Sequence, residues 1–501
     1  MPVVVGVDSS TQSCKVEIRD LGSGSLLGAG AAPHPPAYGP QSEQDPADWW
    51  RAFESALHGA VANAGVAGRD VAAISIAAQC HGLVPLAANG SVIRPAKLWN
   101  DTTCAPEVAA LREQLGAAHW IGLTGSLPTA AFTAGKLAWL ARHERAHFAA
   151  LRRVCLPHDW LTLQLSGQHV TDRSEASGTG YYSTVKARYL EEVLALVDPD
   201  RDWAPALPRV LGSAEPAGLI IGSVAERLGL GPATVIGAGG GDQHAAALGL
   251  AVRPGDVVYS IATSGVVFTV SPGPVFDATG MVDGVADMAG GYLPLVSTLN
   301  AARVTDWMAG LLGVDHTRLA EMALAANPTH GPAFTAFLDG ERKPDRPDAT
   351  GVLAGLTAAT TREDLARAAH DGVLLALVRG ERAMNAAGVH TGGRLLITGG
   401  GGRSPAYRQI LADLTGRPVT AAEVDESTAR GAGVQAAAVA TGASIDEVCA
   451  AWAPHARVVA EPRPGSEHLR SALARRYSAV ADWAGFDGQA HSIPVGRAVP
   501  E

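Results

Sequence analysis

The chain has 501 residues, of which 47% are apolar and 18% charged, and its 39 Lys and Arg face 49 Asp and Glu for a formal net charge of −10. Such a chain buries a large core in roughly two to four domains, which excludes a disordered protein. The acidic balance argues against a nucleic-acid partner, which would need a basic face, and the 58 Gly and 31 Pro follow no period, so a collagen-like or low-complexity chain is excluded too.

Val3 to Val7 is a β-branched run that stops at Asp8 and reads as a strand. Lys15 to Arg19 alternates polar and apolar residues as a half-buried strand does, and Leu26 to Ala32 supplies a third strand after a Gly-Ser-Gly turn. A meander at this point is not how a dinucleotide-binding domain opens, because there the first strand feeds a helix. From Pro46 the period becomes helical through Trp49, Trp50, Phe53, Leu57 and Val61, with the tryptophan pair read as packing. Val71 to Ala77 is a buried strand, and Leu98 to Asp101 ends a second apolar piece at a polar corner. Residues 105–200 are mostly helical in period, with loops expected at Pro128, Pro157 and Ser174 to Gly180. A strand then runs into the glycines before Asp242, followed by a helix of small residues, Ala245 to Leu250. Near residue 255 the opening repeats: Asp256 to Ile261 is a strand, Ala262 to Gly265 a turn, Val266 to Val270 a strand. Arg394 to Thr398 is a further strand that runs into Gly399 to Gly402, and a helix follows from Pro405 to Leu414. Two halves that open alike, 1–250 and 251–501, predict a duplicated α/β fold with a cleft between them.

The five cysteines, Cys14, Cys80, Cys104, Cys155 and Cys449, form no C-x-x-C pair and no disulfide framework. They point to a reducing compartment, and no cluster of Cys and His has the spacing of a zinc site. The N-terminus carries no basic and apolar leader pattern, and the uncharged stretch 72–93 is broken by Gln79, His81, Gly82, Pro85 and Asn89. The expectation is a cytoplasmic protein that does not enter a membrane.

Asp8 to Lys15 lies between two strands, where small hydroxyl side chains and turn N–H groups can wrap phosphate oxygens. Taken alone, it is equally an ordinary polar hairpin. Ala262 to Gly265 and Gly399 to Gly402 offer two more turns directly after strands, and neither a Walker A pattern nor a protein-kinase glycine loop is present.

The segments GVDSSTQSCKV (6–16), EQDPADWW (43–50), QCHG (79–82), RPAKLWND (94–101), GGGDQHAAALG (239–249), ATSGVVF (262–268), DGERKPDRPDATG (339–351) and ITGGGGRSPAYRQILADLTG (397–416) come in order along nearly the whole chain. In this combination the chain resembles the FGGY family of carbohydrate kinases, and within it the ketopentose branch. The resemblance implies two actin-like, ribonuclease-H-like domains closing over sugar and ATP, and a homodimer is an expectation from the family alone. It implies ATP-dependent phosphorylation of D-xylulose, with ribulose, glycerol, gluconate or a pentitol as alternative acceptors. A non-catalytic actin-like protein that binds ATP or sugar is the alternative from another class.

Position by position, the resemblance implies that Asp242 is the base that accepts the sugar hydroxyl proton. Asp8 and Asp242 would hold Mg²⁺, and Thr11 and Lys15 would complete the phosphate hairpin. Thr263, Ser264 and Gly265 match the second phosphate turn, and Gly400, Gly401 and Ser404 the nucleoside pocket. Cys80, His81, Trp99, Asn100 and Gln243 match sugar-site positions. An aspartate with an ordinary pKa of about 3.9 is too weak to strip a sugar hydroxyl in advance, but it can accept the proton late in a loose phosphoryl transfer. Three residues depart from the family pattern: Ser9 and Ala262 replace glycines, and Lys343 stands where Thr is common, bringing a charge toward the expected cleft.

Overall fold

The computed structural model describes residues 1–329 and 331–482; residues 483–501 of the expected second half lie outside the described residues. Strand β1 (Val3–Ser9) pairs antiparallel with β2 (Ser13–Asp20), which pairs antiparallel with β3 (Leu26–Pro33). On its other side β1 runs parallel to Val71–Ala78, and beyond that lies Val235–Ile236. The second half repeats this plan. Val257–Ile261 pairs antiparallel with Gly265–Phe268 and parallel with Leu395–Thr398, and Val419–Ala422 follows in parallel. Each half is thus the same mixed sheet, the predicted two-domain α/β architecture of ribonuclease-H type.

Why β1 reads as a continuous apolar run is plain from its two faces. Val3, Val5 and Val7 pack with Trp49, Phe53 and Leu57 of helix α1 (Pro46–Ala64). Val4 lies on the opposite face, in one cluster with Ala432, Val434 and Ala436 of the helix Ser427–Thr441. A strand covered on both sides cannot alternate. Asp45 caps α1 through the Ala47 N–H, and Gly65 ends it in the left-handed conformation at φ 65°.

Two expected loops are helical. Pro157 opens the helix Pro157–Ser166, because proline is preorganised for the first turn and lacks an N–H that would go unpaired there. Within Ser174 to Gly180, the Asp172 carboxylate takes the N–H groups of Ser174 and Glu175 and starts the short helix Arg173–Ser177. No helix among the described residues is long and apolar enough to cross a membrane.

The helix Ser427–Thr441 follows the last parallel strand of the second sheet yet lies on the first. A Cβ on Gly6 of β1 would stand 1.9 Å from the Ala429 carbonyl oxygen. The same helix meets Asp242–Gly249 backbone to backbone: a Cβ on Gly431 would lie 1.7 Å from the Ala245 carbonyl, and one on Gly249 would lie 1.9 Å from the Ser427 carbonyl. On an exposed helix Gly→Ala stabilises by about 1 kcal/mol. At Gly431 the sign reverses: Gly431→Ala is expected to destabilise by about 3 kcal/mol or more through overpacking, read as a lower urea midpoint, and a midpoint at or above wild type would refute the close crossing.

Candidate active site

Asp8 is the penultimate residue of β1, and the register sets it opposite Lys15 on β2. It is 4% exposed and accepts from the Ser10 hydroxyl. Burial first, then the nearby charge of Asp242, push its carboxyl up to about 7 against the lowering by Ser10 and Lys15. Lys15 is half-exposed and its Nζ sits 2.7 Å from Glu426 Oε2, at the start of the helix Ser427–Thr441.

Asp242 begins the helix Asp242–Gly249. Its Oδ1 accepts from the Gln243 N–H at 2.7 Å and from the Cys80 thiol at 3.4 Å, and its carbonyl accepts from the Thr428 hydroxyl at 3.2 Å. Enclosure raises its carboxyl above the ordinary value, opposed by the Cys80 and Gln243 hydrogen bonds. The turn before it is clamped by Gln435 of the helix Ser427–Thr441. Gln435 Oε1 accepts from Gly239 N–H at 2.8 Å and from Ser75 Oγ at 2.5 Å, while its Nε2 donates to the Gly239 carbonyl at 3.2 Å.

Asp8, Lys15 and Gln243 open onto a cavity of about 690 Å³, walled opposite by Ala262, Thr398, Gly399, Gly400 and Gly402 of the second half and by Glu426 to Thr428. Around it, the expected nucleotide residues divide. A Cβ on Gly265 would meet Thr298 Cγ2 at 2.9 Å, and one on Gly401 would meet Ile261 Cγ2 at 2.5 Å. Ser404 caps the helix Pro405–Thr415 through the Tyr407 N–H. The turn of Thr263 and Ser264 is stapled to the helix Ala302–Leu312: the Thr263 carbonyl accepts from Ala301 N–H at 3.3 Å, and the Ala262 carbonyl from Ala302 N–H at 2.9 Å. Gly400 stands apart, since a Cβ there would meet nothing within 4 Å among the described residues.

A second group of residues gathers around Trp99 and His81, both of which lie near Arg342. Trp99 Nε1 donates to Thr11 Oγ1 at 2.9 Å, and the Thr11 hydroxyl donates onward to Gln79 Oε1 at 3.1 Å. Thr11, a residue of the expected phosphate hairpin, thus has its hydroxyl engaged on both sides, by Trp99 and Gln79. His81 sits at φ 64°, its ring stacked on Phe132 at 5.0 Å and 11°. Burial, with Lys136 and Arg342 nearby, holds its pKa well below the ordinary value, so the ring is neutral. Asn100 Oδ1 is buried with no hydrogen-bond partner among the described residues, an acceptor that a ligand hydroxyl would satisfy.

The sequence reading assigned no role to Arg342 or Gln435. The Arg342 guanidinium of the second half lies 4.7 Å from the centroid of the Trp99 ring of the first half. It lies within the DGERKP segment, whose signal was read only at Lys343. Lys343 does not face the cleft: its Nζ is buried and donates to Asp283 Oδ1 at 2.9 Å and the Gly280 carbonyl at 2.7 Å. Lysine there closes a buried ion pair.

Paired ribonuclease-H-type halves with a cavity between them, onto which Asp8 and Lys15 open, have the frame of a sugar-kinase type of protein, and the chain belongs to the FGGY family of carbohydrate kinases. The N-terminal domain of that family matches residues 3–249 and its C-terminal domain residues 257–440. The chain is 42% identical over 475 residues to the xylulose kinase of Streptomyces rubiginosus, covering 94% of this chain and 95% of that protein. It is 36% identical over 424 residues to the xylulose kinase of Escherichia coli, covering 82% and 85% respectively. The crystal structure of xylulose kinase from Bifidobacterium adolescentis superposes with a TM-score of 0.82 at 35% identity, over 96% of this chain and 99% of that one. The protein is a phosphotransferase with an alcohol group as acceptor.

The raised carboxyl of Asp8 has a measurable consequence. Its folded pKa of about 7 lies above the 3.8 of an unperturbed group. The folded chain therefore holds the extra proton between those values, and stability falls as pH rises through that window. Asp8→Asn is expected to gain stability over wild type progressively from about pH 4 to about pH 7 and to level off above, at about 4 kcal/mol at most from about 1.4 kcal/mol per unit. Urea unfolding across pH checks this, and a difference that shrinks with rising pH would contradict the assigned environment.

Proposed function

We propose that the protein transfers the γ-phosphoryl group of ATP to D-xylulose, giving D-xylulose 5-phosphate and ADP. The observation that carries the reading is that Asp242 holds the Cys80 thiol at 3.4 Å while its neighbour Gln243 lines, with Asp8 and Lys15, a cavity of nucleotide size; His81 follows Cys80 in the chain, and Trp99 and Asn100 supply an aromatic face and an unpaired acceptor. The names of the relatives supply the acceptor. Trp99 offers an aromatic face to the C–H side of the sugar, neutral His81 and Asn100 exchange hydrogen bonds with its hydroxyls, and Arg342 closes over Trp99 from the second half.

Asp242 accepts the proton of the attacking hydroxyl as the new P–O bond forms and the bond to the β–γ bridging oxygen breaks, with ADP as the leaving group. A proton that leaves late suits a carboxylate of this strength. Lys15 and the N–H groups of the hairpin and of the Ala262–Gly265 turn oppose the phosphate charge. The carboxylates of Asp8 and Asp242 fit Mg²⁺: the charge of Asp242 opposes the ionisation of buried Asp8, and a bound divalent cation would relieve that opposition. When bound, that ion neutralises phosphate charge and helps align the transferring group.

A coupled ADP-release assay over D-xylulose, D-ribulose, glycerol and gluconate is expected to give the highest kcat/KM with D-xylulose. Asp242→Asn should lower kcat by about 10²–10⁴, the range of a lost acid–base group, with ATP binding retained. Wild-type turnover in that variant would remove Asp242 from the chemistry, and preference for a different acceptor would overturn the assigned sugar.

A further inference from the structure

Behind Asp242, three side chains far apart in sequence converge. A Cβ built on Gly241 would lie 2.5 Å from His244 Nδ1, 2.7 Å from Cys80 Sγ and 2.8 Å from Glu175 Oε1. The three donor atoms lie within 4.8 Å of one another. Glu175 is fully buried and His244 is 2% exposed. Neither nitrogen of His244 has a hydrogen-bond partner among the described residues, and Glu175 Oε1 has none either. Buried polar atoms left this way are costly unless something between them binds all three.

We propose that Cys80 Sγ, Glu175 Oε1 and His244 Nδ1 form a site for one thiophilic divalent metal ion of the Zn²⁺ class, whose occupation blocks the sugar side of the cleft. Zinc bonds run at about 2.3 Å to sulfur and about 2.0–2.1 Å to imidazole nitrogen, so three donor atoms within 4.8 Å of one another can close on a single ion. A thiolate and a carboxylate cancel the charge of a divalent ion, and the thiol proton leaves to solvent on binding. Sulfur and imidazole do not suit Mg²⁺, so this site is chemically separate from the carboxylate pair Asp8 and Asp242. Three protein ligands leave a fourth position open. It borders Asp242, whose Oδ1 is 3.4 Å from Cys80 Sγ.

The sequence shows no such cluster because the ligands stand at 80, 175 and 244. The strand Val71–Ala78, the short helix Arg173–Ser177 and the helix Asp242–Gly249 bring them together. Gly241 is required at the centre, where any side chain would fill the cradle.

The metal site stands on this geometry alone; the blocking of sugar rests also on the function proposed above. Co²⁺ titrated into the full chain is expected to bind one per chain with a thiolate charge-transfer band in the near ultraviolet, and Zn²⁺ should bleach it. Cys80→Ser should lose the band. Glu175→Gln and His244→Gln should weaken binding at least about 100-fold, beyond the ~10–100-fold cost of losing an outer partner, with circular dichroism confirming that each variant is folded. Wild-type protein gives a check free of folding effects: Zn²⁺ should shield Cys80 from alkylation while Cys449, the other partly exposed thiol, still reacts. Absence of the band, or equal alkylation of Cys80 with and without Zn²⁺, would overturn the site. D-Xylulose should raise the apparent Kd for Co²⁺; tight Co²⁺ binding unaffected by any of the four acceptors would overturn the blocking role and leave the metal site standing.

Discussion

The structure depends on the crossing of two helix backbones, Asp242–Gly249 and Ser427–Thr441. They meet where Gly249 and Gly431 leave no room even for a methyl group, and the second helix also rests on β1 at Gly6. Because it grows out of the second sheet and packs on the first, it couples both halves to the same place. Its first residues reach the site directly: Glu426 holds Lys15 and the Thr428 hydroxyl holds the Asp242 carbonyl. Two turns further along, Gln435 fastens the glycine turn that ends at Asp242. Asp242, the hairpin of Asp8 to Lys15 and the cavity are therefore referenced to one rigid element, as positioning-dominated phosphoryl transfer requires.

Charge is arranged in the same economical way. The charge of Asp242 hinders the ionisation of Asp8, and Lys15, which favours it, is also paired with Glu426. A site with excess negative charge facing a cavity favours a divalent cation and the nucleotide it carries. Across the cleft Arg342 reaches over Trp99 of the first half, whereas the neighbouring Lys343 is buried against Asp283. A guanidinium stacks on an aromatic face and keeps its charge there; an ammonium ion is better held by a carboxylate and a carbonyl, as Lys343 is.

Much of this was legible in the sequence. The β-branched run before Asp8, the alternation of Lys15 to Arg19 and the repeat near residue 255 are local patterns, and the two sheets follow from them. Failures came where the deciding partner is distant. Pro157 and Ser174 read as loop residues, but caps and first-turn preferences made them helical. The link from Trp99 to the Thr11 hydroxyl, 88 residues apart, has no local pattern to announce it. Gln435 looks like one polar residue in an alanine-rich helix, and only the fold sets it against Gly239. Cys80, Glu175 and His244 show no ligand spacing because three separate elements supply them.

One glycine isolates the claim that the cavity between the halves is where the nucleotide binds. Gly399 needs its φ of 80° and Gly401 is pressed on Ile261, so both are explained by the fold. Gly400 has φ −58°, borders the cavity, and leaves open space where its side chain would be. Gly400→Val can be made and its steady-state kinetics measured beside its unfolding curve. The account predicts stability within about 0.5 kcal/mol of wild type, an unchanged KM for the sugar, and a KM for ATP raised roughly tenfold or more, equivalent to about 1.4 kcal/mol of lost binding. An unchanged KM for ATP in a folded Gly400→Val protein would place the nucleotide elsewhere and contradict the account.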